Sequence, residues 1–210
     1  MKIRSALTDL LTRARSIRGF SVAESTAVLS ALSVVGATMV PATADYLAQA
    51  RLIKATSDTH VIAIALVRQT GDVRPQMRTP GGWATYDLLI GDGQTPAIGG
   101  GGSSIWGLPN SDPRVGWLAQ QLVVNGPAYT TGPLRLGFPS GWHGPYVENG
   151  ITPDPWGSRY AVNSRWLALG NGLDTVVISA GPNGLIETAF EGDGIVPGGD
   201  DVAALVSTGD

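Results

Sequence analysis

Two hydrophobic patterns fill the first third of the chain. From Phe20 to Val40 the apolar positions Val22, Val28, Leu29, Leu32, Val34, Val35, Met39 and Val40 are diluted only by small or hydroxylated residues, and Glu24 is the sole ionisable side chain. As a helix rising ~1.5 Å per residue, this stretch is long enough to span a bilayer core, although Ser21, Ser25, Thr26, Ser30, Ser33 and Thr38 weaken its hydropathy. From Ala42 to Gln69 there is no Gly or Pro, and Leu47, Ala48, Leu52, Ala55, Thr59, Ile62 and Leu66 recur at helical spacing. Asp45, Arg51, Lys54, Asp58 and Arg68 lie opposite. The pattern predicts an amphipathic helix over 42–69 that packs its apolar stripe under a sheet, with the N-terminal half projecting away from the head and Gly71 ending the helix.

Residues 70–140 are punctuated by Pro80-Gly81-Gly82, Gly91-Asp92-Gly93, Gly99 to Gly102 and Gly126-Pro127. They read as loops, with short apolar pieces such as Tyr86 to Ile90. A short helix is expected over Pro113 to Val124, capped by Asp112, with Val115, Leu118, Ala119 and Leu122 on one face. The four-glycine run lacks the Lys-Ser/Thr of a phosphate loop and is read as a flexible loop. Further on, Asp154-Pro155-Trp156-Gly157 is a turn feeding Tyr160-Ala161-Val162 into a strand. The β-branched run Asp174 to Ser179 is the clearest strand, closed by Gly181-Pro182-Asn183-Gly184.

Charge is unevenly spread. Residues 1–19 carry Lys2, Arg4, Arg13, Arg15 and Arg18 against Asp9, which favours a cytoplasmic N-terminus. Residues 166–210 hold Asp174, Glu187, Glu191, Asp193, Asp200, Asp201 and Asp210 with no Lys or Arg. The chain has no cysteine and two histidines, so disulfides and thiolate metal sites are unavailable. No nucleophile, base and orienting group can be read together, and the chain is taken as a non-enzyme. Acidic oxygens crowded in a Gly-rich loop suit Ca²⁺ better than a transition metal. Nothing points to nucleic acid.

The basic leader, Gly19-Phe20, and Glu24 together resemble the precursors of type IV pilins and type II secretion pseudopilins. The resemblance implies cleavage after Gly19 by prepilin peptidase, methylation of the new terminus at Phe20, and a glutamate, Glu24, that pairs with the freed amino group of a neighbouring subunit. Pro41 falls where many members bend or melt this helix, whereas Ala23, Ser25 and Thr26 stand where larger aliphatic residues are usual. Gly144-Pro145-Tyr146 and Asp154-Pro155-Trp156-Gly157-Ser158-Arg159-Tyr160 are similar to signatures of the major secretion pseudopilin, with Trp156 and Tyr160 covering the helix. The segment from Ser179 to Val202 looks like the calcium loop of the same proteins. By that likeness Asn183, Asp200 and Asp201 are candidate ligands, with Glu187 or Asp193 in addition, and calcium replaces a disulfide as the clamp.

The resemblance implies an α+β pilin fold, a long N-terminal helix packed on a small C-terminal antiparallel sheet with extended loops. Its parts would be a removed leader (1–19), a transmembrane and filament-core helix (20–41) and a periplasmic head (42–210), in which 70–140 is a loop-rich insertion and 141–210 carries the sheet and acidic loop. The implied function is that of a pseudopilin anchored in the bacterial inner membrane, polymerising as a homo-oligomeric filament with other pseudopilins and an assembly platform. Two other readings stay open, a pilus or tip subunit and a secreted calcium-dependent binding module.

Overall fold

The computed structural model describes residues 21–73, 82, 85–131, 141–167 and 173–206. The chain divides into two compact units, Met1–Ala48 and Gln49–Asp210. Helix α1, Val22–Val73, runs without interruption and contributes to both. It extends past Gly71 because Val73 is fully buried, so tertiary burial outweighs the glycine's weak helix preference.

In the second unit, α1 packs on a five-stranded sheet of order β3-β1-β4-β5-β7. Its strands are β1 Leu88–Ile90, β3 Val115–Trp117, β4 Ala161–Val162, β5 Val176–Ser179 and β7 Val202–Leu205. The pairings β1–β4, β4–β5 and β5–β7 are antiparallel, as expected, but β1–β3 is parallel, with Leu88 opposite Val115 and Ile90 opposite Trp117. The sheet is therefore mixed and not antiparallel. A parallel pair needs a crossover of a dozen residues or more, and the segment between Ile90 and Val115 provides it. The stretch expected to be a loop-rich insertion thus supplies two of the five strands and the crossover between them.

Period-two alternation in the strands buries both faces. Leu89, Val162, Val177 and Ala204 join Ile62, Ala63, Leu66 and Val73 of α1 in one core. Leu88, Ile90, Ala161, Val176 and Ile178 join Trp106, Ile186 and Phe190 in a second. The helix stripe is partly as expected: Ala55, Thr59, Ile62 and Leu66 are buried, while Leu47 and Leu52 are exposed. Leu66, completely covered, gains about 1.5–3 kcal/mol from burial relative to exposure.

The second core is roofed by the 97–108 and 185–196 segments. They meet through a two-stranded parallel pair, β2 Ala97–Ile98 with β6 Leu185–Ile186. Trp106 stacks edge-on against Phe190, with ring centroids 4.8 Å apart, and its indole N–H donates to the Thr188 carbonyl at 3.0 Å. The glycine run is part of this roof and not a free loop. The Gly99 N–H donates to the Ile186 carbonyl, and a Cβ on Gly102 would stand 2.1 Å from the Ile186 oxygen.

The helix expected over 113–124 is replaced by strand β3 followed by the one-turn helix α2, Leu118–Leu122. Asp112 organises the entry as a turn: its carboxylate accepts from the Arg114 backbone at 2.9 Å and from the Arg114 guanidinium. Pairing with β1 wins over local helix preference, and Val115 and Leu118 end in different cores.

Candidate functional site

At the start of α1, Ser21 and Glu24 form a reciprocal cap. The Ser21 backbone N–H donates to Glu24 Oε2 at 2.8 Å, and the Glu24 N–H donates to Ser21 Oγ at 3.3 Å. Each satisfies a backbone donor that the helix leaves without a partner. The Ser-x-x-Glu spacing is a capping-box signature already legible in the sequence, beside the intersubunit role that the resemblance implies for Glu24. Gly19 and Phe20, the expected processing residues, lie outside the described residues.

The hydroxyls that follow turn onto their own helix. Thr26 Oγ1 donates to the Val22 carbonyl at 2.8 Å, Ser33 Oγ to Leu29 at 2.8 Å, and Ser30 Oγ to Thr26. Among the described residues no helix is long and apolar enough by hydropathy to cross a membrane.

The 154–158 turn works as the sequence suggests. Asp154 Oδ1 accepts from the backbone of Trp156 and Ser158, its Oδ2 accepts from Ser179 Oγ at 2.6 Å, and Gly157 takes the positive φ of 96° that the turn requires. Tyr160 enters the core facing α1, and its hydroxyl donates to Asp58 Oδ2 at 3.0 Å. Burial, and then the Asp58 carboxylate, push the phenol far above its ordinary value. Trp156, expected beside it, is half-buried and belongs to neither core. Lys54, Asp58, Tyr146, Glu148, Ile151 and Tyr160 line a cleft of about 470 Å³.

The acidic loop gathers most of its expected residues. Asp201 Oδ2 accepts from the backbone N–H groups of Glu187 and Thr188, both at 2.8 Å, and from Thr188 Oγ1 at 2.6 Å. The Asn183 N–H donates to Asp200 Oδ2 at 3.2 Å, and Asn183 Nδ2 donates to Glu187 Oε2 at 3.3 Å. Glu187 lies so close to Gly199 that a Cβ there would stand 1.7 Å from Oε2. Burial raises the Asp201 carboxyl above the ordinary range, and the neighbouring Asp200 charge adds to this. Asp193 does not join: it is exposed and takes no part in these hydrogen bonds. Two organising residues were missed in sequence. Thr188 links Asp201 to the Gly198 N–H, and Asp174 Oδ2 accepts from Gly194 and Ile195 at 2.8 and 3.0 Å.

Among the described residues no set of three or more His, Cys, Asp or Glu side chains is placed as a ready metal cage. Two carboxylate oxygens of the loop, Asp200 Oδ1 and Asp201 Oδ1, are nonetheless buried without a hydrogen-bond partner. Buried carboxylate oxygens without donors are costly, and a hard oxygen-seeking cation is the chemistry that removes the cost. Asp200 and Asp201 supply these two oxygens side by side in the chain, and Glu187 is tied to them through its backbone N–H on Asp201 Oδ2.

Searches against family models, characterised proteins and solved structures matched none of them.

Proposed function

We propose that the chain is a structural subunit of a pilin-like helical filament, of the type II secretion pseudopilin kind, adopting a pilin fold. The observation that carries this is Glu24, held at the third helical position of α1 by Ser21 a few residues after the Gly19-Phe20 junction. A carboxylate fixed at a helix start has one oxygen committed to the cap and retains further acceptor sites, so a neighbouring subunit's amino group can join without dismantling the helix end. In this reading prepilin peptidase cuts after Gly19, the precursor is held in the inner membrane by the first part of α1, and assembly with further pseudopilins pairs Glu24 with the freed terminus of the next subunit. The chain acts mechanically and not as a catalyst.

Calcium belongs to the same reading. Asp200 and Asp201 would hold it through their partnerless oxygens, with Glu187 as a third carboxylate, and the ion would supply charge compensation that ties the 183–201 loop to itself. Asn183 has its side-chain oxygen engaged by the Leu185 N–H at 2.6 Å, so its role is to shape the loop. The deciding experiment sequences the N-terminus of the mature protein from membranes. A start at Phe20 supports the reading, and a start near residue 43 overturns it in favour of a secreted module.

A further inference from the structure

Asn-Gly occurs four times in the chain, at 125–126, 149–150, 171–172 and 183–184. The dipeptide is chemically labile because glycine has no side chain to keep its backbone nitrogen away from the asparagine amide carbon, and its backbone readily takes up the conformations that bring the two together. The fold holds these pairs differently. Asn125 Nδ2 donates to the Tyr129 carbonyl and its Oδ1 accepts from the Tyr129 N–H, both at 2.9 Å, while the Gly126 N–H donates to the Gln120 carbonyl at 2.6 Å. Asn183 Oδ1 accepts from the Leu185 N–H at 2.6 Å, its Nδ2 donates to Glu187 Oε2 at 3.3 Å, and the Gly184 N–H donates to the Gly181 carbonyl at 3.4 Å. In both pairs the side-chain amide and the nitrogen that would attack it are engaged elsewhere. Asn171-Gly172 lies outside the described residues.

The pair at 149–150 is different. Asn149 is exposed in the turn that rims the cleft of about 470 Å³, and among the described residues neither its side chain nor the Gly150 N–H makes a hydrogen bond. Gly150 has a φ of 72°, and a Cβ placed on it would meet nothing within 4 Å, so there is room for a ring to close.

We propose that Asn149 is a site of spontaneous deamidation, selected by the fold over Asn125 and Asn183. The Gly150 backbone nitrogen attacks Asn149 Cγ, a C–N bond forms, and the bond from Cγ to Nδ2 breaks. Nδ2 leaves as ammonia, carrying the proton that the Gly150 nitrogen gives up, and a five-membered succinimide remains. Water then opens the ring at either carbonyl and restores the N–H, leaving aspartate or isoaspartate; nothing is oxidised or reduced. Either product adds a carboxylate beside Glu148 at the rim of a cleft whose charged lining is otherwise Lys54, Asp58 and Glu148. Isoaspartate also lengthens the main chain of the turn by one carbon. The proposal is independent of the filament reading.

The test incubates the full-length protein in mildly alkaline buffer, folded and in denaturing urea, and follows the peptides containing Asn125, Asn149 and Asn183 by chromatography and mass spectrometry for amide turned to acid. In the folded protein Asn149 should convert about tenfold faster than the other two, where hydrogen bonds must open first. In urea that preference should disappear. The Asn149 peptide should give two products, aspartyl and isoaspartyl, and Asn149→Gln, whose longer side chain would have to close a six-membered ring, should stop conversion at this position. Equal rates at the three sites in the folded protein, no conversion at Asn149, or a preference for Asn149 that persists in urea would overturn the proposal. A single aspartyl product, or undiminished conversion in Asn149→Gln, would mean direct hydrolysis of the side chain and would overturn it as well.

Discussion

The Tyr160 hydroxyl donates to Asp58 Oδ2 across 3.0 Å, and that same oxygen takes Lys54 Nζ at 2.8 Å, so one carboxylate ties strand entry to helix face. Tyr160→Phe removes one hydrogen bond and leaves Asp58 with its lysine. The expected loss is about 1 kcal/mol by denaturant unfolding. Asp58→Ala leaves a buried phenol without its acceptor and should cost more, about 1–3 kcal/mol.

The capping box separates two roles of Glu24. Glu24→Gln keeps a side-chain oxygen for the Ser21 N–H but has no charge, whereas Glu24→Ala loses both. Amide exchange at residues 22–25 should be nearly unchanged in the first variant and faster in the second, by the equivalent of about 0.5–1 kcal/mol. Filaments, if the charge pairs between subunits, should be absent from both while processing continues. Normal filaments from Glu24→Gln would show that the charge is not needed.

Asp201 sets the pH behaviour of the acidic loop. Because burial raises its pKa in the folded chain, the folded state holds more protons than the unfolded one just above the ordinary carboxylate value. Its contribution to stability is therefore greatest at low pH and is lost as pH rises through that window. Calcium opposes this, since binding needs the ionised carboxylate. Calcium should raise Tm at pH 7 and do so less at pH 4.5, and Asp201→Asn should flatten the difference; a calcium increment independent of pH would exclude Asp201 as a ligand.

The glycine run should respond unevenly to substitution. Gly102→Ala would place a methyl group 2.1 Å from the Ile186 carbonyl, while Gly100→Ala meets nothing within 4 Å. Unfolding measurements should find the first destabilised by about 1–3 kcal/mol and the second within about 0.5 kcal/mol of wild type.

Arg159 offers a further check. Its side chain is fully buried and donates to Asn110 Oδ1 and to the carbonyls of Trp106 and Leu108, with burial lowering its pKa. Arg159→Ala should cost about 3 kcal/mol or more through lost packing and three acceptors left without their donor, and Arg159→Met, which restores volume, should recover part of that in the same titration.

Local signals carried part of this fold. The period of Ala55, Thr59, Ile62 and Leu66 placed the buried helix face, the β-branched run placed β5, and Asp-Pro-Trp-Gly announced a turn whose caps are local. The mixed sheet was not legible: β1 and β3 are three residues each and gain their stability from one another across a 24-residue crossover, a pairing that no window of local sequence contains. The helix expected at 113–124 is cut back to Leu118–Leu122 for the same reason, because Val115–Trp117 pairs with β1. In the acidic loop, Asn183, Glu187, Asp200 and Asp201 were singled out by the likeness to a calcium loop, which the run of acids accompanies, but Thr188 carries no distinguishing signal, and Asp193 looked as good as its neighbours.

The sequence by itself determined the uncharged stretch, the helical period, the position of Glu24 and the acidity of the last segment, because each depends on residues close together along the chain. Only the tertiary structure decided which glycines are ledges, which carboxylate oxygens lack donors, and which short apolar pieces become strands. Those outcomes depend on backbone and side-chain atoms brought together from distant positions, where a few tenths of an ångström or one missing hydrogen bond outweighs local preference.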